Sequence, residues 1–475
     1  MKSKLNFGGA FALLLLLTSI LCFYTIRNAN WLMGDDWMFV TSTAIGKPFP
    51  ISENLRPADG RFCPLVQQHN NLLLLLEPDG VSIETMYIRN AMELCAFSIL
   101  MFLFLWCVLK RQFRYSGWHP WIALLTAIVL IERVLNKYFL SISYGGGFFP
   151  LLVLLFLWTT YSFHISQKSG YGIVSLLSAI YLTYMFEPAF GVFVVFAIVP
   201  LVFDWHNLSA KMKWYYGTFL LNGVVFAILY YFLIYRHMVA MYHPNSVDNV
   251  TIWSCFKMCM LSQKMFLLAV PLAIVRLYAL FVQKDRAHIL YDALLFAGVA
   301  GIMANCILKL NTGHYYVFPL LLVALPTMYF LVYYFKEVVT FLLVGLLGVF
   351  YLSKIPKDIR SNQTVRLHDF PIVRVLSSEI KNGVSVCVYQ PADEYVALQH
   401  WDKVFCDYYL MVLENMLRMD IHDANYCFKY ISDSSDISPE DVLLVSDYLK
   451  SAVGSCGRVQ ADYVLSNINI YMPEE

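Results

Sequence analysis

The sequence predicts a polytopic α-helical membrane protein that ends in a water-exposed α+β domain. Three observations carry that class. Of 475 residues, 59% are hydrophobic and 14% charged, whereas soluble domains hold about 25% charged and 45–50% apolar residues. Mean hydropathy is +0.59. Apolar stretches of span length recur from near the N-terminus to Ser353 and then stop.

A helix needs about 20 apolar residues to cross the hydrocarbon core. That window predicts about 11 spans, near 8–26, 88–109, 118–139, 147–165, 171–186, 188–204, 215–235, 264–283, 289–309, 316–335 and 338–353. The first follows Met1-Lys-Ser-Lys4 and reads as an uncleaved helix, because no small-x-small cleavage site ends it. The fifth and sixth meet at Glu187-Pro188. One helix over 171–204 would be about 50 Å long, too long for a single crossing, so Pro188 is expected to end the first arm.

Positive residues favour the cytoplasmic side. Lys2, Lys4, Lys110, Arg111, Arg114, Lys168, Lys211, Lys213, Lys284, Arg286 and Lys336 then lie inside. The first loop (27–87), the Glu187 turn, the Asn311-Thr-Gly-His314 loop and the tail lie outside. Arg236, Lys257 and Lys354 fall outside too, against the rule.

Beyond Ser353 charges return and no apolar run reaches span length. Lys381-Asn-Gly383 predicts a turn and Val384 to Tyr389 a strand. Asp402 to Met419 has helical spacing, with Phe405, Tyr409, Leu413 and Leu417 as its apolar positions. Ser438-Pro-Glu-Asp441 predicts a helix start. The expected domains are 1–353, transmembrane, and 354–475, soluble and extracytoplasmic.

A net charge of +1 gives no footprint for nucleic acid. No P-loop, Gly-rich dinucleotide fingerprint or paired CxxC is present, which argues against ATP-driven transport by this chain alone. Of the eleven cysteines, Cys22, Cys95, Cys107 and Cys306 fall in spans and read as packing residues. Cys387, Cys406, Cys427 and Cys456 lie in the tail and form either two disulfides or buried thiols. Cys255 and Cys259, with His237 and His243, match no known metal-ligand spacing.

The chemistry-bearing residues cluster at the external side. Asp35 and Asp36 stand in Asn30-Trp-Leu-Met-Gly-Asp-Asp-Trp-Met-Phe39. Trp31 and Trp37 prefer the membrane interface and hold the pair near headgroup depth. A carboxylate there suits a general base or a handle for a polar substrate, and a turn or helix cap is the plainer alternative. The same loop holds Asp59-Gly60-Arg61, an acid and a base on one turn, and Leu72 to Leu76, which suits a helix lying at the interface. Glu187 is an ionisable group in an apolar setting, at a helix break that lines a cavity or caps a turn. His314, Tyr315 and Tyr316 either bind phosphate or sugar or, for the tyrosines, form an aromatic belt. Glu93, Glu132 and Arg133 fall in helices, and Asp292 reads as a solvated helix-end residue.

Gly34-Asp-Asp-Trp37 followed by Asp59-Gly-Arg-Phe62, within this topology, resembles the GT-C superfamily of integral-membrane glycosyltransferases, and within it the bacterial serotype-converting O-antigen glucosyltransferases. The resemblance in topology covers the chain; that in motif covers those short stretches. It implies transfer of a hexose from a polyprenyl-phosphate donor to a glycan or lipid-linked acceptor, outside the bacterial inner membrane, in building lipopolysaccharide or other cell-envelope glycans. It makes Asp35 or Asp36 the base that activates the acceptor hydroxyl, with inversion at the anomeric carbon. Arg61, His314, Tyr315, Glu187 and Asp59 are then the candidates for donor-phosphate or acceptor binding. A divalent metal bridging Asp35 and the phosphate is compatible with this chemistry, and the sequence does not establish one. A transporter or flippase for a lipid-linked saccharide is the alternative. It predicts paired charges near the bilayer midplane and often an internal repeat; no repeat is seen, and Arg276 is the one feature that leans toward transport.

Overall fold

The structure, a computed structural model, describes residues 2–27, 43–44, 46–57, 60–114, 116–139, 146–238, 251–308, 313–389, 413, 417, 428–431, 433–446, 460–465 and 468–473. The chain forms two compact units. One comprises Met1–Ala29, Phe49–Leu72 and Glu84–Ile359; the other comprises Asn30–Pro48, Leu73–Ile83 and Arg360–Glu475.

The first unit is helical: α1 (Lys2–Arg27), α2 (Ile83–Gln112), α3 (His119–Val134), α4 (Phe148–Ser166), α5 (Ser169–Met185), α6 (Ala189–Phe203), α7 (Ala210–Leu233), α8 (Ile252–Ser262), α9 (Phe266–Tyr278), α10 (Ile289–Ile307) and α11 (Val317–Leu352). Among the described residues, seven helical stretches are long and apolar enough to cross a membrane: Asn6–Arg27, Ile83–Gln112, Phe148–Ser166, Ala210–His237, Phe266–Gln283, Ile289–Ile307 and Val317–Lys357. The arms α5 and α6 are shorter, at 17 and 15 residues. They break where the sequence predicts. Phe186 turns to extended backbone at φ −145° and Pro188 precedes the first residue of α6. Proline lacks the N–H that would continue α5.

Helix α11 is itself broken at Lys336. That residue has φ 62° and ψ 175°, so the residues on either side form separate arms. Where helices cross in lipid, packing rather than water exclusion holds them, and small residues permit close approach. Gly298 and Gly301 serve this on α10. A Cβ on Gly298 would lie 2.3 Å from Val323 Cγ1, and one on Gly301 would lie 2.9 Å from Val192 Cγ2. So α10 seats against α11 on one side and α6 on the other. Cys255, Cys259 and Cys306 are buried in the same apolar core.

Asp292 and the Leu72–Leu76 run depart from the sequence expectation. Asp292 is fully buried, not solvated. Arg276 reaches it from α9, with Nε donating to Oδ1 at 2.7 Å and Nη2 to Oδ2 at 2.9 Å. The partner lies sixteen residues away, so local sequence does not reveal it. The leucine run falls in a 3-10 helix, Gln68–Leu75, and not in an α-helix; Leu72, Leu75 and Leu76 are exposed.

The second unit holds a five-stranded mixed sheet: β3 (Val386–Tyr389), β4 (Lys429–Ile431), β5 (Val442–Ser446), β6 (Tyr463–Leu465) and β7 (Ile468–Tyr471), in the order β4-β3-β5-β7-β6. The numbers β1 and β2 belong to a hairpin of the first unit, β1 (Leu55–Arg56) and β2 (Arg61–Phe62). Strand β3 runs parallel to β4 and β5, and β7 runs antiparallel to β5 and β6. All four residues of β3 and of β7 are buried, as expected for strands covered on both faces. A further helix, α12 (Ile355–Lys381), ends at the predicted turn, where Gly383 has φ +90° and its N–H donates to Ile380 O at 2.9 Å.

Ser438-Pro-Glu-Asp441 does not start a helix. It is a turn into β5. The helix-start signal is local, and the unbroken apolar run Val442-Leu-Leu-Val445 that follows has the pattern of a covered strand, which overrides it. The Cys387 thiol donates to Asp441 Oδ2 at 3.3 Å. Cys406, Cys427, Cys456, His243 and, apart from Leu413 and Leu417, the 402–419 helix lie outside the described residues.

Candidate functional site

The site grows from the β1–β2 hairpin, whose register pairs Leu55 with Phe62 and Arg56 with Arg61. Its turn needs a left-handed residue, and Gly60, at φ +75°, supplies it. Helix ends pin the hairpin in place. Tyr230 of α7 donates its hydroxyl proton to Gly60 O at 3.0 Å, and Leu65 N–H donates to Tyr184 O of α5 at 3.0 Å. Phe62 is buried against the rings of Phe226 (5.3 Å) and Tyr184 (6.0 Å).

This anchoring delivers Arg61 to the α5–α6 break. Glu187 Oε1 accepts from Phe62 N–H at 2.7 Å and from Arg61 Nε at 3.1 Å. Both side chains are about 20% exposed, so the pair is shielded but not sealed. Burial alone would lower the Arg61 pKa; Glu187, followed by Cys63 and Tyr315, more than reverses that and keeps the guanidinium charged. The Cys63 thiol is pushed up to about 11, by burial first and by Glu187 second, and is protonated at neutral pH.

Beside the pair is a cavity lined by Arg61, Cys63, Tyr138, Phe149, Phe186 and Tyr315. About 30 Å³ of it is reachable by a water-sized sphere, room for a water or two. Its aromatic wall is continuous: Tyr138 stacks on Phe149 at 5.1 Å, Phe149 meets Phe186 at 5.6 Å, and Phe186 stacks on Tyr315 at 6.1 Å. Asn305 at the end of α10 holds Tyr315, donating to its carbonyl at 2.8 Å.

Of the residues that the sequence singles out, Arg61, Glu187 and Tyr315 meet at this cavity. Tyr315 and Tyr316 are buried, at 6% and 2% exposure, which replaces the aromatic belt expected of them. His314 belongs by backbone to the 3-10 turn Gly313–Tyr316, and its side chain is not among those described. Asp35, Asp36 and Asp59 lie outside the described residues. Arg133 pairs with the buried Glu132 and lies over the Tyr351 ring at 4.7 Å, near Lys264 and Lys354, which flank Phe350.

Sequence reasoning missed a polar nest one residue from the cavity. Gln67, His69 and Asn70 of the first loop are buried, and Gln67 adopts φ 69°. Asn70 Nδ2 donates to Gln67 Oε1 at 2.7 Å, and Arg89 of α2 donates to Asn70 Oδ1 and to Asn90 Oδ1. Arg89 also pairs with Glu93 at 3.7 Å. His69 stacks on Phe148 at 5.1 Å. Burial first, and then the Arg89 charge, hold its pKa well below the ordinary histidine range, so it is neutral. The signal was available: Gln67-Gln-His-Asn-Asn71 is a wholly polar run between the mostly apolar Phe62–Val66 and the leucines 72–76.

Among the described residues no group of three or more His, Cys, Asp or Glu side chains is placed to hold a metal ion. Comparison with models of known protein families finds no match, and none of the curated proteins compared is similar to the chain.

Proposed function

We propose that the protein is a membrane glycosyltransferase that moves a hexose from a polyprenyl-phosphate donor to a glycan or lipid-linked acceptor. In this reading eleven spans cross the bacterial inner membrane, and the first loop and C-terminal unit face the periplasm. The observation that carries it is the Arg61–Glu187 pair. The loop whose sequence opens on two aspartates is pinned, at its hairpin, to a helix break beside an aromatic cavity. Aromatic side chains beside a few oriented polar groups are the kinds of group that contact a sugar, and the cavity itself has room for a hydroxyl or a water.

In this reading the residues divide the reaction among them. Asp35 or Asp36 takes the proton of an acceptor hydroxyl. The oxygen attacks the anomeric carbon, the bond from that carbon to the phosphate oxygen breaks, and its electron pair leaves with the polyprenyl phosphate. Glu187 already accepts two hydrogen bonds from the hairpin, so its role is to position Arg61 rather than to act as base. Arg61 lends positive charge next to the leaving phosphate.

The test is sugar transfer in membranes with Asp35→Asn and Asp36→Asn at normal expression. One of the two is expected to lose transfer by about a hundredfold or more. Full activity in both would remove the base assignment, and a C-terminal reporter read as cytoplasmic would remove the topology.

A further inference from the structure

We propose that the buried nest of Gln67, His69, Arg89 and Glu93 is a subsite for saccharide hydroxyls. The proposal rests on the glycosyltransferase reading for its ligand class, and its test separates the two.

Buried polar groups are almost always hydrogen-bonded, and an exception calls for a missing partner. Here the exceptions gather. His69 is 5% exposed, yet neither ring nitrogen has a hydrogen-bond partner among the described residues, and neither has Gln67 Nε2. A neutral imidazole offers one donor and one acceptor, and leaving both unmet is costly. His69 and Arg89 meet beside Gly146, whose φ is +54°. A Cβ there would lie 3.0 Å from Arg89 Nη2, 3.2 Å from Asn90 Oδ1 and 3.7 Å from His69 Nε2, so only a residue without a side chain lets these polar groups converge.

The mixture of groups selects the ligand. A bare anion would be repelled by Glu93 and a metal cation by Arg89. A hydroxyl donates and accepts at once, which matches neutral His69 beside an amide, a guanidinium and a carboxylate. Place supports this as well. Val66 lines the Arg61 cavity and Gln67 follows it; Phe149 lines the same cavity and Phe148 carries His69. Two independent segments therefore join cavity and nest. The aromatic wall supplies few polar partners, and the nest supplies them.

The experiment uses the full chain in detergent and reads thermal stabilisation by a polyprenyl-phosphate hexose against the same lipid phosphate without sugar. His69→Ala, His69→Gln and Glu93→Gln are compared with the parent. The sugar-specific stabilisation is expected to fall in His69→Ala, corresponding to about tenfold weaker binding. The lipid-phosphate part should remain, and His69→Gln, which keeps a donor and an acceptor, should recover part of the sugar effect. Deoxy sugars should mimic His69→Ala at one hydroxyl position. Equal sugar-specific stabilisation in the parent, His69→Ala and His69→Gln would overturn the subsite and leave the nest as a water site. No sugar-specific stabilisation in the parent would overturn it as well. Sugar binding that depends on His69, in a protein that transfers no sugar, would keep the subsite and sink the glycosyltransferase reading. Should His69→Ala fail to fold, Glu93→Gln and the deoxy sugars carry the test.

Discussion

Two arginines answered by carboxylates stand toward opposite ends of α10, and they are built differently. Arg276 uses all five donors: two on Asp292, two on the Asp285 side chain and carbonyl, and one on the Tyr334 hydroxyl. Its side chain is fully buried, and it ties α9 to α10, to the loop before α10 and to α11. Arg61 is partly exposed, is answered by Glu187 and borders a cavity. Thirteen residues, about 20 Å along a helix, separate Asp292 from Asn305, the residue that holds Tyr315 at the Arg61 site. A saturated arginine is a clamp. One that is partly exposed and borders a cavity lies within reach of a ligand.

The largest effect is expected at Arg276. Arg276→Leu leaves Asp292 buried without its countercharge, a cost of about 3–5 kcal/mol, and folded protein in detergent should be largely lost on size exclusion. Gly298→Val, on the helix between the two sites, drives a methyl into Val323 and should cost about 1–3 kcal/mol, read as a lower melting temperature at unchanged expression. Arg61→Ala is expected to cost less, about 1 kcal/mol, because Glu187 is partly solvated and keeps the Phe62 N–H. It should nevertheless abolish sugar transfer. Equal melting losses for Arg61→Ala and Arg276→Leu would erase the distinction drawn between clamp and site.

Two smaller effects refine it. Lys336→Gly removes a side chain from a backbone conformation suited to glycine and should raise stability by about 1 kcal/mol, provided the break in α11 is intrinsic and not held by the lysine. The other is pH. Arg276 lowers the Asp285 pKa below the ordinary aspartate value, against the opposing effect of burial. A depressed carboxylate contributes stability that is present above the unfolded value, near about 4, and lost as pH falls through the lower folded one. His69, a base held neutral, acts in the same direction over a higher range: below about 6.5 the unfolded chain binds a proton that the folded chain refuses. Melting curves should therefore fall in two stages from about pH 7 to pH 3. Asp285→Asn should flatten the lower stage and His69→Gln the upper.

Local signals read well where one segment decides the outcome. The apolar helices, the break at Glu187-Pro188 and the turn at Lys381-Asn-Gly383 follow from residues within a turn of one another. Ser438-Pro-Glu-Asp441 misleads because a capping signal competes with the strand that follows, and only the sheet shows which prevails. Asp292 misleads because its salt-bridge partner sits on another helix. The Arg61–Glu187 pair spans 126 residues, and the His69 nest draws on the first loop, α2 and the segment before α4. Nothing in spacing could join them.

Hydropathy and proline act locally, and for that reason the amino-acid sequence alone makes this chain largely apolar helix with a small mixed module at its end. That Arg61 meets Glu187 and Arg276 meets Asp292 was settled only by tertiary packing. Burial makes an unanswered charge expensive, so a partner is found wherever the fold brings one near: a chain neighbour for Arg133 and Arg89, a distant residue for Arg61.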